Sequence, residues 1–498
     1  MRHAIDRLRF PILAVLLIVL LQVLPGPRPL DDAYITFRYA RNLANGFGFV
    51  YNPGQPVLGT TTPLYTLWLA LFSSALSSGD YPWLALMTNA VCDGVMILLL
   101  RRLIQSLGQS PGVSAAIAMS YLLSPLRIGV ALGGMETSMV VLWLVAASEA
   151  YVGRDRPTQA GLFSALAVLT RPDAILLPIL FAAHQLLMKR RFPARESLVF
   201  LTVTGPWIAL AQAYFGSPLP NSIVAKSQAY FLHPLQAVAT LLGFLATRSP
   251  FNGSNWPLWA IGLSLAVVFW CYVMGVWVAF RRQPRVLPLV AFPPLYIAGL
   301  SLGNPLLFLW YYLPLIFLLD TMCLIGMNAI LSRFRPALHN VLVSVCVIGL
   351  LGLQWAGLRS AVRAWPVNLR EREVVYDQAA AMLHDTIAPG STVALPEIGV
   401  LGYAFSQAVI IDTVGLVSPQ AIPYLLKQPV PGQPANYAIS SQVIAALQPD
   451  YVIALEVFIR PTLLHSPDFL SAYDLIGALD ASYFESRGLL IFRRATDR

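Results

Sequence analysis

Long apolar runs separated by short polar segments fill the chain as far as residue 358. A helix needs roughly 20 apolar residues to cross a bilayer, and this pattern predicts about eleven crossings. The run Pro63–Ser78 is shorter and carries paired serines, so we expect it to lie in the membrane interface. The predicted spans are Leu8–Leu24, Tyr81–Leu100, Gly112–Leu132, Thr137–Tyr151, Ala160–Leu169, Ala174–Leu187, Leu198–Tyr214, Trp256–Phe280, Val286–Leu302, Leu306–Ile330 and Leu338–Leu358.

Basic residues mark one end of these spans. Arg101-Arg102, Lys189-Arg190-Arg191 and Arg281-Arg282 each close a span on the side where the basic N-terminus begins, which is the positive-inside pattern. The first run lacks a small-x-small cleavage site, so we expect it to be retained as a span. The pattern predicts a multi-pass plasma-membrane protein with a cytoplasmic N-terminus and large outer loops at about 28–80 and 215–256.

The composition changes after residue 358. From 359 to 498 the chain alternates short helical and strand patterns, which is typical of a small α/β domain. We expect helices at Tyr376–Ile387 and Val443–Leu447. The parity of the spans places this domain outside the cell. The expected strands are Ser391–Leu395, Val409–Asp412, Tyr451–Leu455 and Leu489–Arg493.

Bulk composition agrees with a membrane protein. The 498 residues are 57% hydrophobic and 11% charged, whereas soluble domains carry about 25% charged residues. The net charge of +9 comes largely from span ends, so it does not indicate nucleic-acid binding. The four cysteines lie in apolar runs without metal-ligand spacing, so we expect neither a zinc site nor a disulfide framework.

The stretch that follows the first span carries candidate chemistry. In a helix that starts at Asp31, one face presents Asp31, Tyr34, Arg38 and Arg41. A carboxylate beside fixed positive charge stays ionised, and a guanidinium suits a phosphate oxygen. The pair would fit a base next to a phosphorylated leaving group. The alternative is an ordinary capped helix at the membrane surface.

Further polar residues fall in other predicted outer loops. Glu136 is equally explained as a helix cap, Arg171 with Asp173 as a salt-bridged turn, and Lys226 as a headgroup anchor. Asp93 lies within an apolar span, so we expect it to have a partner or to line a polar cavity. The whole outer set is Asp31, Asp32, Arg38, Arg41, Glu136, Arg171, Asp173, Asn221 and Lys226.

Sequence motifs for soluble activated substrates are absent. The chain has no Gly-x-x-x-x-Gly-Lys-Ser/Thr loop, no His-Glu-x-x-His and no Gly-x-Ser-x-Gly. An enzyme whose polar residues face outward needs a substrate that arrives already activated within the membrane. A lipid-linked phosphate ester is such a substrate.

Several motifs, in order, carry a resemblance to a known family. The first outer loop, Asp31–Asn42 followed by Gly46–Gly54, closely resembles that of GT-C glycosyltransferases, especially the terminal arabinofuranosyltransferases of the actinobacterial cell wall. Later segments fit the same family: Gly134–Thr137, Thr170–Asp173, Leu219–Asn221 before Ala225-Lys226, Ile398-Gly399 with Gly402-Tyr403, and Asp412–Leu416.

The resemblance implies a GT-C-like catalytic domain at 1–358 that transfers a sugar from a polyprenyl phosphate to a glycan, lipid or protein of the cell envelope, with inversion. It implies that Asp31 is the general base and Asp32 a supporting or alternative base. The sugar, arabinofuranose or another pentose or hexose, and the need for a divalent cation stay open. A departure is Val57-Leu58-Gly59, where relatives often carry a charge. The expected substrate-binding residues are Tyr34, Arg38, Arg41, Glu136, Arg171, Asp173, Asn221 and Lys226.

A transporter or a flippase for lipid-linked glycans is the alternative function. It would place its key charges in mid-membrane and on internal repeats, whereas the polar set here falls in outer loops.

Overall fold

The computed structural model describes residues 2–229, 233–247, 257–303, 307–364, 371–428, 430 and 438–495. Two predicted span starts, Trp256 and Leu306, lie outside these residues. A helical membrane part is followed by a small sheet domain. The helices of the first part are α1 (Arg2–Ile18), α2 (Asp31–Ala44), α3 (Pro63–Leu76), α4 (Tyr81–Ser106), α5 (Pro111–Leu122), α6 (Pro125–Leu132), α7 (Thr137–Ser148), α8 (Pro157–Thr170), α9 (Leu176–Met188), α10 (Ala194–Phe215), α11 (Asn221–Ala229), α12 (Pro234–Thr247), α13 (Leu258–Arg282), α14 (Leu287–Gly303), α15 (Leu313–Leu331) and α16 (Pro336–Ala364).

The helices confirm a multi-pass membrane protein. Six of those in the described ranges are long and apolar enough to cross a bilayer, and the bent pair α5–α6 makes a seventh. Four more apolar helices have 10–17 residues. The total of about eleven crossings stays a prediction. Helix α16 continues past the expected domain boundary at residue 358 to Ala364.

The predicted span Gly112–Leu132 is not one straight helix, and this is a correction. It breaks between α5 and α6 with a bend of 50°, because Pro125 cannot continue the preceding helix. The break leaves carbonyls without helical partners, and Arg127 Nε donates to one of them, Leu122 O, at 2.8 Å. The Arg127 guanidinium also meets Asp93 at 2.5 Å, so the expected partner of Asp93 is confirmed.

Helices α13 and α15 cross at two glycines. A Cβ on Gly275 would lie 1.8 Å from Met322 O, and a Cβ on Gly326 would lie 1.8 Å from Cys271 O. Small residues let helix backbones approach closely in a membrane. The crossing fixes α15, whose N-terminal end adjoins the site described below.

The C-terminal domain is a five-stranded mixed sheet with the strand order β2-β1-β3-β5-β4. Strand β1 is parallel to β2 and β3, while β5 is antiparallel to β3 and β4. The elements are α17 (Glu371–Leu383), β1 (Thr392–Leu395), α18 (Val400–Ala404), β2 (Val409–Asp412), α19 (Ser441–Leu447), β3 (Tyr451–Leu455), α20 (Glu456–Ile459), α21 (Pro467–Ala472), β4 (Tyr473–Leu479) and β5 (Leu489–Arg494).

This domain shares a hydrophobic core with the long loop at about 28–80 that follows the first apolar helix. Tyr39, Tyr51 and Leu58 from that loop pack in one cluster with Val393 and Leu395 of β1. Burying large aromatic side chains across the boundary stabilises the contact by the usual apolar-area effect. The two parts therefore form one continuous structure rather than two bodies on a tether.

Candidate active site

Helix α2 organises the site. It begins at Asp31, as expected, after Leu30 in an extended conformation (φ −80°, ψ 156°). Asp31 and Asp32 occupy its first turn, where negative charge is favourable to the helix dipole. Just before the helix, Arg28 N and Leu30 N donate to Leu132 O and Gly133 O at 2.8 and 3.0 Å. The end of α6 thereby fixes where α2 starts.

Asp31 is held by the C-terminal domain. Its carboxylate accepts hydrogen bonds from Val400 N at 2.8 Å and Gly399 N at 3.1 Å. The side chain is buried, and burial raises the pKa of Asp31 to about 7, although nearby Arg372 opposes that rise. A Cβ on Gly399 would lie 1.8 Å from Asp31 O, so this contact requires glycine.

Arg38 has a structural environment. It is fully buried, and all five of its guanidinium N–H groups have acceptors. No donor is left for a phosphate, which argues against the predicted substrate contact. The acceptors are the carbonyls of Tyr51, Gly402, Phe405 and Ala408 and the side-chain oxygen of Asn52.

Tyr34 and Arg41 also face the C-terminal domain. Both meet Tyr403: the ring centroids of Tyr34 and Tyr403 are 5.3 Å apart, and the Arg41 guanidinium lies 4.0 Å from the centroid of Tyr403. Arg41 Nη2 donates to Tyr403 O at 2.9 Å. The predicted Asp–Tyr–Arg–Arg face therefore exists, but it is a domain contact.

Asp32 points elsewhere. Successive helical residues are rotated by about 100°, so Asp32 shares a flank with Thr36 and Tyr39 rather than with Asp31. Thr36 Oγ1 lies 3.3 Å from Thr62 Oγ1, and Tyr39 Oη accepts from Gly59 N at 2.8 Å. Asp32 is partly exposed and has no hydrogen-bond or ion-pair partner among the described residues. Its flank therefore leaves one accessible carboxylate at the edge of loop 57–62.

Helix α11 borders the same loop. Asn221 N donates to Leu58 O at 2.7 Å, and Asn221 Nδ2 donates to Gly415 O and Leu416 O at 2.6 and 3.0 Å. Asn221 thus joins loop 57–62 to the C-terminal domain. Lys226 follows on α11, with Nζ 5.6 Å from the ring centroid of Phe308 and no carboxylate in ion-pair range among the described residues.

Three other predicted residues come together in a buried ion triad. Arg171 Nη1 lies 2.7 Å from Glu136 Oε1, and Arg171 Nε lies 3.0 Å from Asp173 Oδ1. The hydroxyl of Tyr296 donates to Asp173. Both carboxylates are thus engaged by one guanidinium, and the salt-bridged alternative for Arg171 and Asp173 is what the structure contains.

A row of aromatic rings connects the triad with Lys226. The Arg171 guanidinium lies 4.5 Å from the centroid of Tyr311. Next to it, the rings of Trp310 and Phe308 stack at 4.8 Å with planes 7° apart, and Phe308 is the ring under Lys226. These half-buried rings, which we call the aromatic row (residues 308, 310 and 311), offer an apolar surface with Lys226 at one end and the ion triad at the other.

The structure thus divides the predicted residues into two groups. Lys226 and Asp32 are partly exposed and Glu136, Arg171 and Asp173 form a buried ion triad, whereas Asp31, Tyr34, Arg38, Arg41 and Asn221 make domain contacts. Sequence reasoning missed the aromatic row and Arg372, which lies in a charged cluster at the start of α17. The Glu371-Arg372-Glu373 run was the available signal, but nothing local to it indicates contact with Asp31.

A metal-binding cluster is not found among the described residues: no three His, Cys, Asp or Glu side chains are arranged to hold a cation there. The need for a divalent cation stays open.

Comparisons with known proteins cover the two parts of the chain unequally. Residues 365–494 match a family model described as a domain of unknown function, DUF8728. A stretch of 221 residues is 28% identical to a terminal β-(1→2)-arabinofuranosyltransferase of Mycobacterium tuberculosis. That stretch is 40% of this chain and 35% of the relative, so the chain spans about a third of that protein's length.

Solved structures match over the full length. ArnT from Cupriavidus metallidurans, bound to undecaprenyl phosphate, superposes with a TM-score of 0.60 at 12% identity and covers 98% of both chains. The chain has the GT-C fold. A second GT-C structure is the oligosaccharyltransferase AglB from Archaeoglobus fulgidus, in complex with an inhibitory peptide and a dolichol-phosphate. It superposes with a TM-score of 0.52 at 13% identity over 99% of this chain and 74% of that one.

Within the GT-C fold, the candidate site occupies the end of the membrane part that meets the sheet domain. Loop 57–62 lies beside one flank of α2, Asn221 of α11 is hydrogen-bonded to that loop, and Phe308 of the aromatic row lies under Lys226 of α11. The two GT-C structures contain lipid phosphates of the polyprenyl type.

Proposed function

We propose that this protein is a membrane glycosyltransferase that moves a sugar from a polyprenyl-phosphate donor to an acceptor of the cell envelope. The observation that carries the proposal is the combination, on a GT-C fold, of an accessible carboxylate at Asp32 and an unneutralised cation at Lys226. The relatives named above supply the class of reaction. The chain's own residues supply the roles.

Asp32 acts as the general base in this proposal. It removes the proton from the acceptor hydroxyl as the acceptor oxygen bonds to the anomeric carbon and the bond from that carbon to the phosphate oxygen breaks. The electron pair leaves with polyprenyl phosphate. Displacement from the opposite face inverts the anomeric centre. A positioned base typically contributes 10²–10⁴-fold to such a step.

Lys226 binds the donor phosphate in this proposal and stabilises the charge that develops on it. A charge-assisted hydrogen bond of this kind is stronger than a neutral one, and it is worth most where charge grows in the transition state. The aromatic row beside Lys226 provides an apolar surface for the first isoprene units, whose burial contributes about 25 cal/mol per Å².

The resemblance named Asp31 as the base, and the geometry supports exchanging the roles of the pair. Both carboxylate oxygens of Asp31 accept backbone amides inside a buried contact, so an acceptor hydroxyl has no open approach to them. Asp31 then anchors α2, and Asp32 reacts.

The proposal places the site and the C-terminal domain outside the plasma membrane and the N-terminus in the cytoplasm, following the basic residues at the span ends. A glycan, a lipid or a protein of the envelope would be the acceptor. The charged residues within the membrane part favour a transferase over a transporter. Asp93 is paired with Arg127 inside the helix bundle, whereas charged residues of a transporter would line a path for ions.

The test offers purified protein a panel of polyprenyl-phosphate pentoses and hexoses beside their nucleotide-activated counterparts, with envelope glycan fragments as acceptors. We expect transfer from at least one lipid-linked donor and none from the nucleotide sugars. Transfer from a nucleotide sugar with none from any lipid donor would contradict the proposal.

A further inference from the structure

A buried ion cluster lies beneath the first turn of α2, on the side of the C-terminal domain. Its centre is Arg372 in α17, whose Nη2 lies 2.6 Å from Glu373 Oε1 and whose Nη1 lies 2.5 Å from Glu397 Oε1. Glu397 follows β1, so one guanidinium joins the start of α17 to the loop that leaves the sheet. The hydroxyl of Tyr376 donates to the second oxygen of Glu397.

This cluster and the loop next to it contact both the backbone and the side chain of Asp31. Asp31 N donates to Glu373 Oε1 at 3.1 Å. The carboxylate of Asp31 accepts the amides of Gly399 and Val400, which directly follow the Glu397 loop. The two segments that hydrogen-bond to Asp31, the start of α17 and the loop after β1, are therefore the two segments that Arg372 joins.

Of the residues in this ion cluster, Arg372 is the one whose loss should disturb the contact most, because it carries the only positive charge described there. Glu373 and Asp31 are buried, the side chain of Glu397 is 9% exposed, and that of Arg372 is 15% exposed. Removing the cation would leave three neighbouring carboxyl groups without a compensating charge. Breaking a buried ion pair from one side is strongly destabilising locally, because the remaining charge is desolvated and unpaired.

We infer that the C-terminal domain, through Arg372, Glu373 and Glu397, sets the position of α2 and so of Asp32 in the transferase reaction. The inference rests on the proposed function and assigns a role to the domain that matches a family of unknown function. Arg372 is a positioning residue, because it acts on α2 and not on substrate. Asp32 is the residue that follows Asp31, so a displacement at Asp31 moves the base directly.

The expected magnitude follows from geometry. A misplacement of about 1 Å in a reacting group can lower the rate about 10²-fold without abolishing binding. Lys226 and the aromatic row lie on other elements, so donor binding should survive a shift of α2. The signature of positioning is therefore a fall in kcat with little change in the KM for the donor.

The experiment compares Arg372→Gln with Arg494→Gln in the full-length protein. Arg494 forms a matched arginine–carboxylate pair in the same domain, with Asp450 at 3.3 Å, but that pair is about 40% exposed and distant from α2 in the sheet. Two quantities are measured: kcat and donor KM with a lipid-linked sugar, and hydrogen exchange of the α2 amides by mass spectrometry. For Arg372→Gln we expect kcat to fall about 10²-fold and α2 exchange to accelerate about tenfold, while Arg494→Gln matches the wild type.

A conservative variant separates position from simple loss of charge. Arg372→Lys keeps the cation but cannot bridge Glu373 and Glu397 with a planar fork, so intermediate values of kcat and of exchange are expected. If Arg372→Gln does not fold, Tyr376→Phe, which removes only the hydroxyl bonded to Glu397, is measured in its place and should show a smaller change of the same sign.

Wild-type kcat and wild-type α2 exchange in Arg372→Gln, or equal losses in Arg494→Gln, would overturn the inference. Failure of the proposed function is a separate result, because wild-type protein would then transfer no sugar from lipid donors. The exchange measurement still decides the domain contact in that case.

Discussion

Asp31 and Asp32 are neighbours in the chain with opposite surroundings. The rotation of about 100° per helical residue turns Asp31 into the amides of Gly399 and Val400 and leaves Asp32 on the flank of loop 57–62. Motif resemblance treats such a pair as one feature. Only the packing of the distant C-terminal domain distinguishes the two carboxylates, and no local pattern encodes that packing.

Asp→Asn substitutions at each position, which replace one carboxylate oxygen with an NH2 group, separate the two roles. Asp32→Asn should lower transfer by about 10²-fold or more, because it removes the base, and should leave the melting temperature unchanged. Asp31→Asn should destabilise the fold by about 1–3 kcal/mol, because its NH2 group faces a backbone N–H that has lost its acceptor. Transfer assays and thermal unfolding in detergent measure both. Full turnover in Asp32→Asn together with none in a folded Asp31→Asn protein would return the base to Asp31.

Lys226 should affect the donor. Lys226→Met keeps an apolar chain over Phe308 but removes the charge, so we expect donor KM to rise about tenfold or more, as for a lost charged hydrogen bond. Lys427→Met, in the C-terminal domain, is the matched control and should have no effect. An unchanged donor KM in Lys226→Met would place the phosphate elsewhere.

Among the secondary-structure elements, sequence reasoning succeeded where a pattern is local. The start of α2 at Asp31 followed from two acids after an apolar run, and strands β1, β2, β3 and β5 followed from short β-branched runs. Strand β4 was missed because its alternation is interrupted by a register shift between Leu475 and Gly477. Helix α12 was missed inside the predicted outer loop 215–256, since its 14 residues, three of them polar, are too few to indicate a span.

The contact between α2 and the C-terminal domain should depend on pH. The pKa of Asp31 is raised by burial to about 7 from its ordinary value of 3.8, so the folded contact binds a proton that the separated state has lost. The stabilisation is full below about pH 3.8 and is lost as the pH rises through about 7. The groups facing Asp31 are Arg372, Glu373, Glu397 and Asp32.

We expect α2 amides, corrected for intrinsic exchange rates, to be better protected at pH 5.5 than at pH 8, by several-fold to roughly tenfold. Asp31→Asn removes the titrating group and should flatten this difference. Greater protection at pH 8 in the wild type would contradict the predicted sign.

At the scale of the whole molecule, apolar periodicity was sufficient for a multi-pass helical membrane protein with a terminal α/β domain. It was not sufficient for the relation between the two, because the shared core of Tyr39, Tyr51 and Val393 joins residues more than 300 positions apart. Arg38 illustrates the same limit. Its spacing suggests a phosphate ligand, while its actual acceptors include the carbonyls of Gly402 and Ala408.

The predicted orientation can be checked by labelling. In a background without Cys92, Cys271, Cys323 and Cys346, a cysteine at Asp385, which is fully exposed, should react with an impermeant thiol reagent on intact cells. A cysteine at Ser332, between α15 and α16, should react only after the membrane is permeabilised. The reverse pattern would invert the topology.

The hydrogen bonds that hold Asp31 also determine whether the sheet domain can bind a soluble ligand. In open α/β sheets, the carboxyl ends of parallel strands are where ligands usually bind, and here the loop after β1 offers its amides to a carboxyl group supplied by the same polypeptide. An intramolecular ligand has an effective concentration in the millimolar range or above. A soluble carboxylate or phosphate would have to exceed that concentration to displace Asp31, so in the intact chain this edge of the sheet is closed to more dilute soluble anions.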